Sequence, residues 1–144
     1  MYSKAELKAL KQEFWTSFGK SFPHKWTLYN TKIKGVEFKF HFDNKTAMVC
    51  LDIDHNLEER MELWEKLIAL KTVIINDYIQ YAVFDELYFI SEYKDVSRIY
   101  LKLENVTINN KATWQETMVF LSKGMLQFEL FFKDFKDYLE TQST

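Results

Sequence analysis

Hydrophobic and polar residues follow two different periods along this chain, and the period changes where capping residues stand. Three stretches carry apolar residues at spacings of three and four, which is typical of amphipathic helices. Each stretch begins with a residue whose side chain can accept a hydrogen bond, and a glutamate follows three residues later. This spacing is the capping-box pattern. The capping residues are Ser3, Asn56 and Thr113. The predicted helices run from about Lys4 to Gly19, from Leu57 to Tyr81, and from after Thr113 to about Leu139.

A strict alternation of apolar and polar residues predicts a β-hairpin after the first helix. The alternating apolar positions are Val36, Phe38, Phe40 and Phe42 in one run, then Ala47, Val49, Leu51 and Ile53 in the next. A two-residue loop at Asn44-Lys45 would join them, with Asn44 accepting a positive φ. In this register Phe42 pairs with Ala47. A one-residue shift would place the phenylalanines opposite polar partners, so the register is well specified.

A second hairpin is predicted from about Glu86 to Glu104, with its turn near residues 94–97. Tyr88 and Ile90 would share a face with Ile99, Leu101 and Leu103. The opposite face would carry Leu87, Phe89, Ser91, Tyr93, Arg98, Tyr100, Lys102 and Glu104. The order α-ββ-α-ββ-α predicts a single α+β domain over residues 1–144. Its two layers would be a four-stranded antiparallel sheet packed against three helices.

The two longer predicted helices each have an inner apolar stripe. In the second helix it comprises Leu57, Met61, Trp64, Leu67, Ile68, Lys71, Ile75, Tyr78 and Ile79, with Lys71 as an interruption. In the third helix Phe120, Leu126, Leu130 and Phe131 lie off the stripe. These four residues either pack beneath the first helix or residues 24–35, which is the favoured interpretation, or form a surface for a partner.

Composition narrows the class of protein. Of the 144 residues 17% are aromatic, which favours a large core. The net charge is −2, so the overall charge gives no indication of nucleic-acid binding. A lone cysteine, Cys50, suits a reducing compartment. With no apparent signal peptide and no long apolar run, we expect a cytoplasmic protein without a membrane segment. Three glycines cannot build a phosphate loop, so no cofactor is expected.

Two carboxylates on adjacent predicted strands suggest one possible site. Glu37 would face Asp52, with Lys39 nearby, and two carboxylates can hold a divalent metal. The Glu37-Phe38-Lys39 string also resembles the acid-x-Lys element of restriction-type nucleases, which wants a further acid on the preceding strand, and this chain has none there. Such strings are frequent by chance, so a solvated polar sheet face is the favoured interpretation.

An aromatic and basic set of residues suggests a second possible site on the sheet. Base stacking combined with phosphate contacts uses this chemistry on open sheets. Aromatic residues on a half-exposed sheet more often pack under a loop or against a dimer partner. The candidate ligand- or nucleic-acid-binding residues are Lys39, His41, Tyr93, Arg98, Tyr100 and Lys102.

Several local sequences together resemble an uncharacterised bacterial family, domain of unknown function 4268. They are Phe14-Trp15 in the first helix, Lys34-Gly35-Val36-Glu37-Phe38, Asp54-His55, Glu58-Glu59-Arg60, and the closing Phe- and Tyr-rich helix. The resemblance covers nearly the whole chain. It implies a loose link to DNA-associated systems, because some members are joined to restriction-type nuclease domains, and it supplies no catalytic residues.

Three functions follow as hypotheses. The favoured one is a non-enzymatic interaction module, either a homodimer or a binder of another protein, acting through the sheet face or the third helix. The second is a nucleic-acid-binding accessory domain. The third, less favoured, is a divalent-metal-dependent nuclease that uses Glu37, Lys39 and Asp52.

Overall fold

The computed structural model describes residues 2–141, and its strands form one antiparallel sheet in the order β1-β2-β4-β3. The strands are β1 (Val36–Phe42), β2 (Thr46–Ile53), β3 (Val83–Ser91) and β4 (Lys94–Glu104). The α-helices are α1 (Lys4–Ser21), α2 (Leu57–Ala69), α3 (Lys71–Val73) and α4 (Trp114–Glu140). A π-helix spans Ile74–Tyr78 and a 3₁₀ turn spans Lys111–Thr113. The predicted α+β class and element order are confirmed, but the described chain has four α-helices instead of three.

The first hairpin has the predicted register. Phe42 pairs with Ala47 and Val36 with Ile53, and the polar positions Glu37 and Asp52 are also opposite each other. Phe38 on β1 is fully buried and meets Phe128 and Phe132 of α4 at ring-centroid distances of 6.2 and 5.4 Å. Alternation alone predicted this pairing because only one register buries every apolar side chain.

The turn of this hairpin is closed differently from the prediction. Asn44 does not adopt a positive φ. Instead, Asp43 Oδ1 accepts hydrogen bonds from the backbone N–H groups of Lys45 and Thr46, both at 2.8 Å. His41 Nε2 lies 2.7 Å from the other carboxylate oxygen. The side chain of Asp43 therefore satisfies the turn and removes the need for a left-handed residue.

The predicted turn of the second hairpin was wrong. Residues 94–97 lie within β4, and the chain reverses at Glu92-Tyr93 instead. Val96 is fully buried, which a turn position would not allow. β3 also carries register shifts between Asp85 and Tyr88 and between Phe89 and Ser91. Each β-bulge inserts a residue, and no alternation pattern reveals one.

The predicted second helix is broken at Leu70, which accounts for the additional α-helix. The following π-helix is closed by a 2.6 Å hydrogen bond from the Ile79 N–H to the Ile74 carbonyl. Ile74 and Ile79 are both buried. Residues five apart face different directions in an α-helix but lie one turn apart in a π-helix, so the wider turn places both isoleucines in the core.

The buried face of α2 is rotated from the predicted stripe. Leu63, Trp64 and Leu67 are its buried residues. Three members of the predicted stripe, Leu57, Met61 and Ile68, are exposed by 70%, 47% and 42%. The prediction treated 57–81 as one straight helix, and the break at Leu70 gives its two halves different buried faces.

The long helix α4 supplies most of the helical layer, and its off-stripe residues divide into two groups. Phe131 is buried against Tyr78, with ring centroids 5.6 Å apart, and Phe120 is partly buried against the core. Leu126 and Leu130 remain 45% and 53% exposed. Packing therefore explains two of the four residues, and the other two are left on the surface.

None of the helices within residues 2–141 is long and apolar enough to cross a membrane.

Helix α1 and the segment after it cover the β1 edge of the sheet. Ser3 and Glu6 form the predicted capping box in full. Phe14 lies fully buried between Phe42 and Trp114, at centroid distances of 4.6 and 5.3 Å. The Leu28 carbonyl accepts a hydrogen bond from the Phe38 N–H on the outer edge of β1. The edge strand is thus protected over its first half.

The other two predicted capping boxes differ in outcome. The Asn56 side chain accepts a hydrogen bond from the Glu59 N–H at 2.9 Å, as expected for an N-cap. Thr113 does not cap α4 with its side chain. Its hydroxyl oxygen lies instead 2.8 Å from the carbonyl oxygens of Thr107 and Asn110, which are alternative acceptors for its single proton. A 3₁₀ turn precedes α4, so the Thr113 hydroxyl bonds to this loop and not to the helix that the capping-box pattern predicted.

Substitutions at two glycines should change stability in opposite directions. Gly19 lies inside α1, which continues to Ser21, and an added Cβ meets nothing within 4 Å. Gly19→Ala should therefore stabilise the protein by up to about 1 kcal/mol. At Gly124 a Cβ would lie 3.0 Å from Val49 Cγ2, so Gly124→Val should destabilise it by about 1–3 kcal/mol. Urea denaturation measures both, and equal midpoints would contradict the close helix–sheet approach.

Asp43→Asn should weaken the acid dependence of stability. Burial alone would raise the pKa of Asp43, but hydrogen bonds from His41, Lys45 and Thr46 lower the pKa from 3.8 to about 2. A depressed folded-state pKa gives stability that is complete above about pH 4 and is lost as the pH falls through about 2. The side chain is 41% exposed, so screening limits this to about 1 kcal/mol. Denaturation midpoints of the wild type and the Asp43→Asn variant at neutral and acid pH test this. If acid lowers the stability of both proteins equally, the prediction is refuted.

Candidate functional site

The polar face of the sheet, on the side away from the helices, brings together most of the predicted site residues. The apolar face meets α4, where Gly124 lies against Val49 and Leu101. On the polar face the strand register aligns three rows of side chains. They are Glu37, Lys39 and His41 from β1, Met48, Cys50 and Asp52 from β2, and Arg98, Tyr100 and Lys102 from β4.

An ion pair between Asp52 and Arg98 lies at the centre of this face. Arg98 Nε donates to Asp52 Oδ1 at 2.6 Å, and Arg98 Nη2 donates to Oδ2 at 2.8 Å. Asp52 is fully buried and Arg98 is 6% exposed. Burial alone would lower the pKa of Arg98, but the hydrogen bonds to Asp52 raise it. The guanidinium therefore stays charged, and the planar fork matches the carboxylate in a bidentate pair.

Lys39 extends the pair into a charged cluster. Its Nζ lies 3.1 Å from Glu37 Oε1 and 3.5 Å from Asp52 Oδ2. Burial opposes the charge on this ammonium, but the hydrogen bond to Glu37 and the nearby Asp52 raise the pKa of Lys39 overall. The two carboxylates that sequence placed in a possible metal site thus have cationic partners. No group of three or more metal-ligating side chains occurs within the described residues.

Tyr88 covers the outer side of Arg98. The guanidinium carbon lies 4.2 Å from the centroid of the Tyr88 ring, a cation–π contact. Tyr88 also packs edge-on against Tyr100 at 5.7 Å. The predicted placement of Tyr88 with Ile99 was wrong, because the bulge after Asp85 turns Tyr88 to the Arg98 side and pairs Phe89 with Asp95. Sequence reasoning missed Tyr88 because bulges without glycine leave no pattern.

The remaining candidate residues differ in their position. His41 and Lys102 lie toward the rim of the same face, whereas Tyr93 is in the hairpin turn, 91% exposed, and does not join the cluster. Every lysine and arginine of the face has a carboxylate within 4.0 Å. The pairs are Lys39 with Glu37 and Asp52, Arg98 with Asp52, and Lys102 with Glu104. The His41 ring nitrogen also lies 2.7 Å from Asp43. The face is therefore close to electrically neutral.

A cavity of about 190 Å³ lies on this face between β1 and the end of β3. Met48, Cys50, Tyr88 and Arg98 contribute to its lining. Burial raises the pKa of the Cys50 thiol to about 12, despite the nearby Arg98. The thiol is therefore protonated and does not act as a nucleophile at neutral pH. The space would accept one side chain or a few water molecules and is smaller than an ordinary ligand site.

Asp52→Asn should destabilise the protein by about 3–5 kcal/mol, because it leaves the Arg98 charge buried without a counter-ion. Glu37→Gln is the matched control: Glu37 is 22% exposed and also contacts Lys39. The control should cost less than about 1 kcal/mol, since partly solvated pairs contribute little. Urea denaturation of both variants compares them. Equal losses of stability would show that the Asp52–Arg98 pair contributes no more to the stability of the fold than the contact between Glu37 and Lys39.

Comparison with known proteins gives one match. A family model with the description "Domain of unknown function (DUF4268)" matches residues 10–136. No curated protein and no solved structure matches the chain. The match spans both hairpins and most of α1 and α4.

Proposed function

Because this chain belongs to the family of domains of unknown function 4268, we propose its function from geometry: it is a non-enzymatic interaction module that self-associates through the end of the β3–β4 hairpin. One observation carries the proposal. Four large apolar residues within seven positions of this hairpin are strongly exposed. These residues, the hairpin patch, are Leu87 (54% exposed), Phe89 (59%), Ile90 (43%) and Tyr93 (91%).

The exposure of the hairpin patch costs solvation free energy that packing does not recover. Single exposed apolar residues are ordinary on protein surfaces, whereas contiguous ones mark contact sites. The two bulges of β3 interrupt its ladder with β4 and twist the edge, which opposes addition of a further strand. A partner would therefore meet the side chains of the patch instead of its backbone.

Arg60 of α2 holds the hairpin in a fixed position. Its Nη1 lies 2.6 Å from Asp95 Oδ1, its Nε donates to Ser97 Oγ at 2.8 Å, and its Nη2 donates to the Glu86 carbonyl at 2.9 Å. A surface that is held rigid before binding loses less entropy on association. The same contacts bring the first turns of α2 next to the hairpin, where Leu57 and Met61 add further exposed apolar area.

The charges around the hairpin patch favour a second copy of this chain as the partner. Glu92 and Lys94 stand on either side of Tyr93 at the turn. In a two-fold symmetric contact centred on Tyr93, Glu92 of one copy would approach Lys94 of the other. The Lys94 ammonium contacts Asp54 at 2.7 Å, but this pair is solvent-exposed and could exchange its carboxylate, unlike the buried Asp52–Arg98 pair. Symmetric pairs of this kind are the commonest oligomers.

The electrostatics of the sheet face favour this function over nucleic-acid binding. Binding to phosphate requires lysine or arginine side chains that can exchange their present partners for a phosphate group. Lys39 and Arg98 already have Glu37 and Asp52 as partners inside the cluster. Using them for phosphate would leave a buried carboxylate unpaired, which is expensive.

Sedimentation velocity over protein concentrations from about 1 µM to about 1 mM tests the proposal, since this range covers weak standard-size interfaces. We expect a dimer at the upper end. Phe89→Lys and Tyr93→Lys should each weaken the dimer by roughly tenfold or more, because central aromatic residues dominate such contacts. Both positions are exposed, so the melting temperature of the monomer should change little.

Leu130→Lys is the control for this experiment. Leu130 is 53% exposed on α4, much like the patch residues, but lies outside the hairpin. It should leave the dimer unchanged. A monomer at every concentration would refute the proposal, and a dimer lost only in the Leu130 variant would transfer the interface to α4.

A further inference from the structure

An open groove of about 850 Å³ lies beside the π-helix, at the opposite end of β3 from the hairpin patch. The π-helix, the turn that leads into β3, and α4 form its walls. Its polar and aromatic lining comprises Asn76, Asp77, Tyr78, Gln80, Tyr81 and Gln127. A volume of this size falls within the range of small-molecule sites.

Tyr81 occupies a strained position on the rim of this groove. It is the third residue of a turn closed by a 3.2 Å hydrogen bond from the Ala82 N–H to the Ile79 carbonyl. Its φ is +69°, a value that glycine or asparagine normally supplies at this position. The side chain is 80% exposed, so packing does not repay the strain. Backbone strain of this kind, held without a packing reason, clusters at functional sites.

The π-helix positions the polar wall of the groove. With Ile74 and Ile79 buried, Asn76 and Asp77 lie on the exposed side of the wide turn. Tyr78 fixes this turn to α4, because its hydroxyl donates to Asp134 Oδ2 at 2.7 Å. Helical segments of this rare type also occur frequently at functional sites. Two uncommon backbone features thus meet at one groove.

The chemistry of the lining indicates a neutral ligand rich in hydroxyl groups. Amide side chains both donate and accept hydrogen bonds, and a carboxylate accepts them. Within residues 2–141 no lysine or arginine lines the groove, so it offers nothing to balance a phosphate or carboxylate ligand. The exposed ring of Tyr81 provides an apolar face for the C–H side of a sugar ring.

We propose that this groove is a carbohydrate-binding site. One sugar ring stacks on Tyr81, and its hydroxyl groups exchange hydrogen bonds with Asn76, Asp77, Gln80 and Gln127. This site is separate from the hairpin patch and goes beyond the self-association proposed above. Binding here does not require the dimer.

Titrations of the isotopically labelled protein with maltose, cellobiose and diacetylchitobiose, followed by amide chemical shifts, test the site. We expect at least one of them to shift the resonances of residues 75–82 and Gln127 in a saturable manner. Tyr81→Gly should weaken this binding by roughly tenfold or more, while Tyr81→Phe, which keeps the ring, should bind within a few-fold of the wild type.

The glycine variant separates a binding defect from a folding defect. Glycine relieves the left-handed strain, so Tyr81→Gly should melt at a higher temperature than the wild type even as it loses the ligand. Three results would overturn the proposal: no shift at these residues with any of the disaccharides, undiminished binding in Tyr81→Gly, or shifts with choline but with none of the sugars. The last result would identify a site for cations.

Discussion

The buried ion pair between Asp52 and Arg98 is the interaction on which the arrangement of the sheet depends. It joins β2 to β4, and these are the two central strands through which the two hairpins meet. Both charges are withdrawn from water, so each is tolerable only while the other is present. A shift in the β2–β4 register would separate them, and for this reason the pair specifies how the hairpins join as well as stabilising the joined state.

The two faces of the sheet satisfy their side chains in different ways. The apolar face is closed by α4, which approaches closely enough at Gly124 to contact Val49 and Leu101. The polar face neutralises its own charges, with Arg98 shielded further by Tyr88. Neither face therefore has much chemistry left for a partner. The exposed apolar surface of the hairpin patch and the polar groove at Tyr81 lie toward the two opposite ends of β3.

Local sequence predicted some of these features and failed at others for identifiable reasons. The β1–β2 register was predictable because every residue of that hairpin obeys one alternation. The bulges of β3 have no such signature, so Tyr88 was assigned to the wrong face. The π-helix turns Ile79 into the core, which a regular helical period cannot express. At Thr113 the capping pattern was present, but the neighbouring loop used the hydroxyl.

Short-range periodicity in the sequence specifies the α+β class, the order of the main elements and the first hairpin, because each of these follows from residues that are close together in the chain. Tertiary structure alone decided the strand order, the pairing of Asp52 with Arg98, the contact of Tyr88 and the left-handed turn at Tyr81. Each of these depends on which distant segments meet, and residues 46 positions apart in the chain, as Asp52 and Arg98 are, leave no local pattern of their contact. Burial then sets whether a charged residue is available to a ligand or used within the fold.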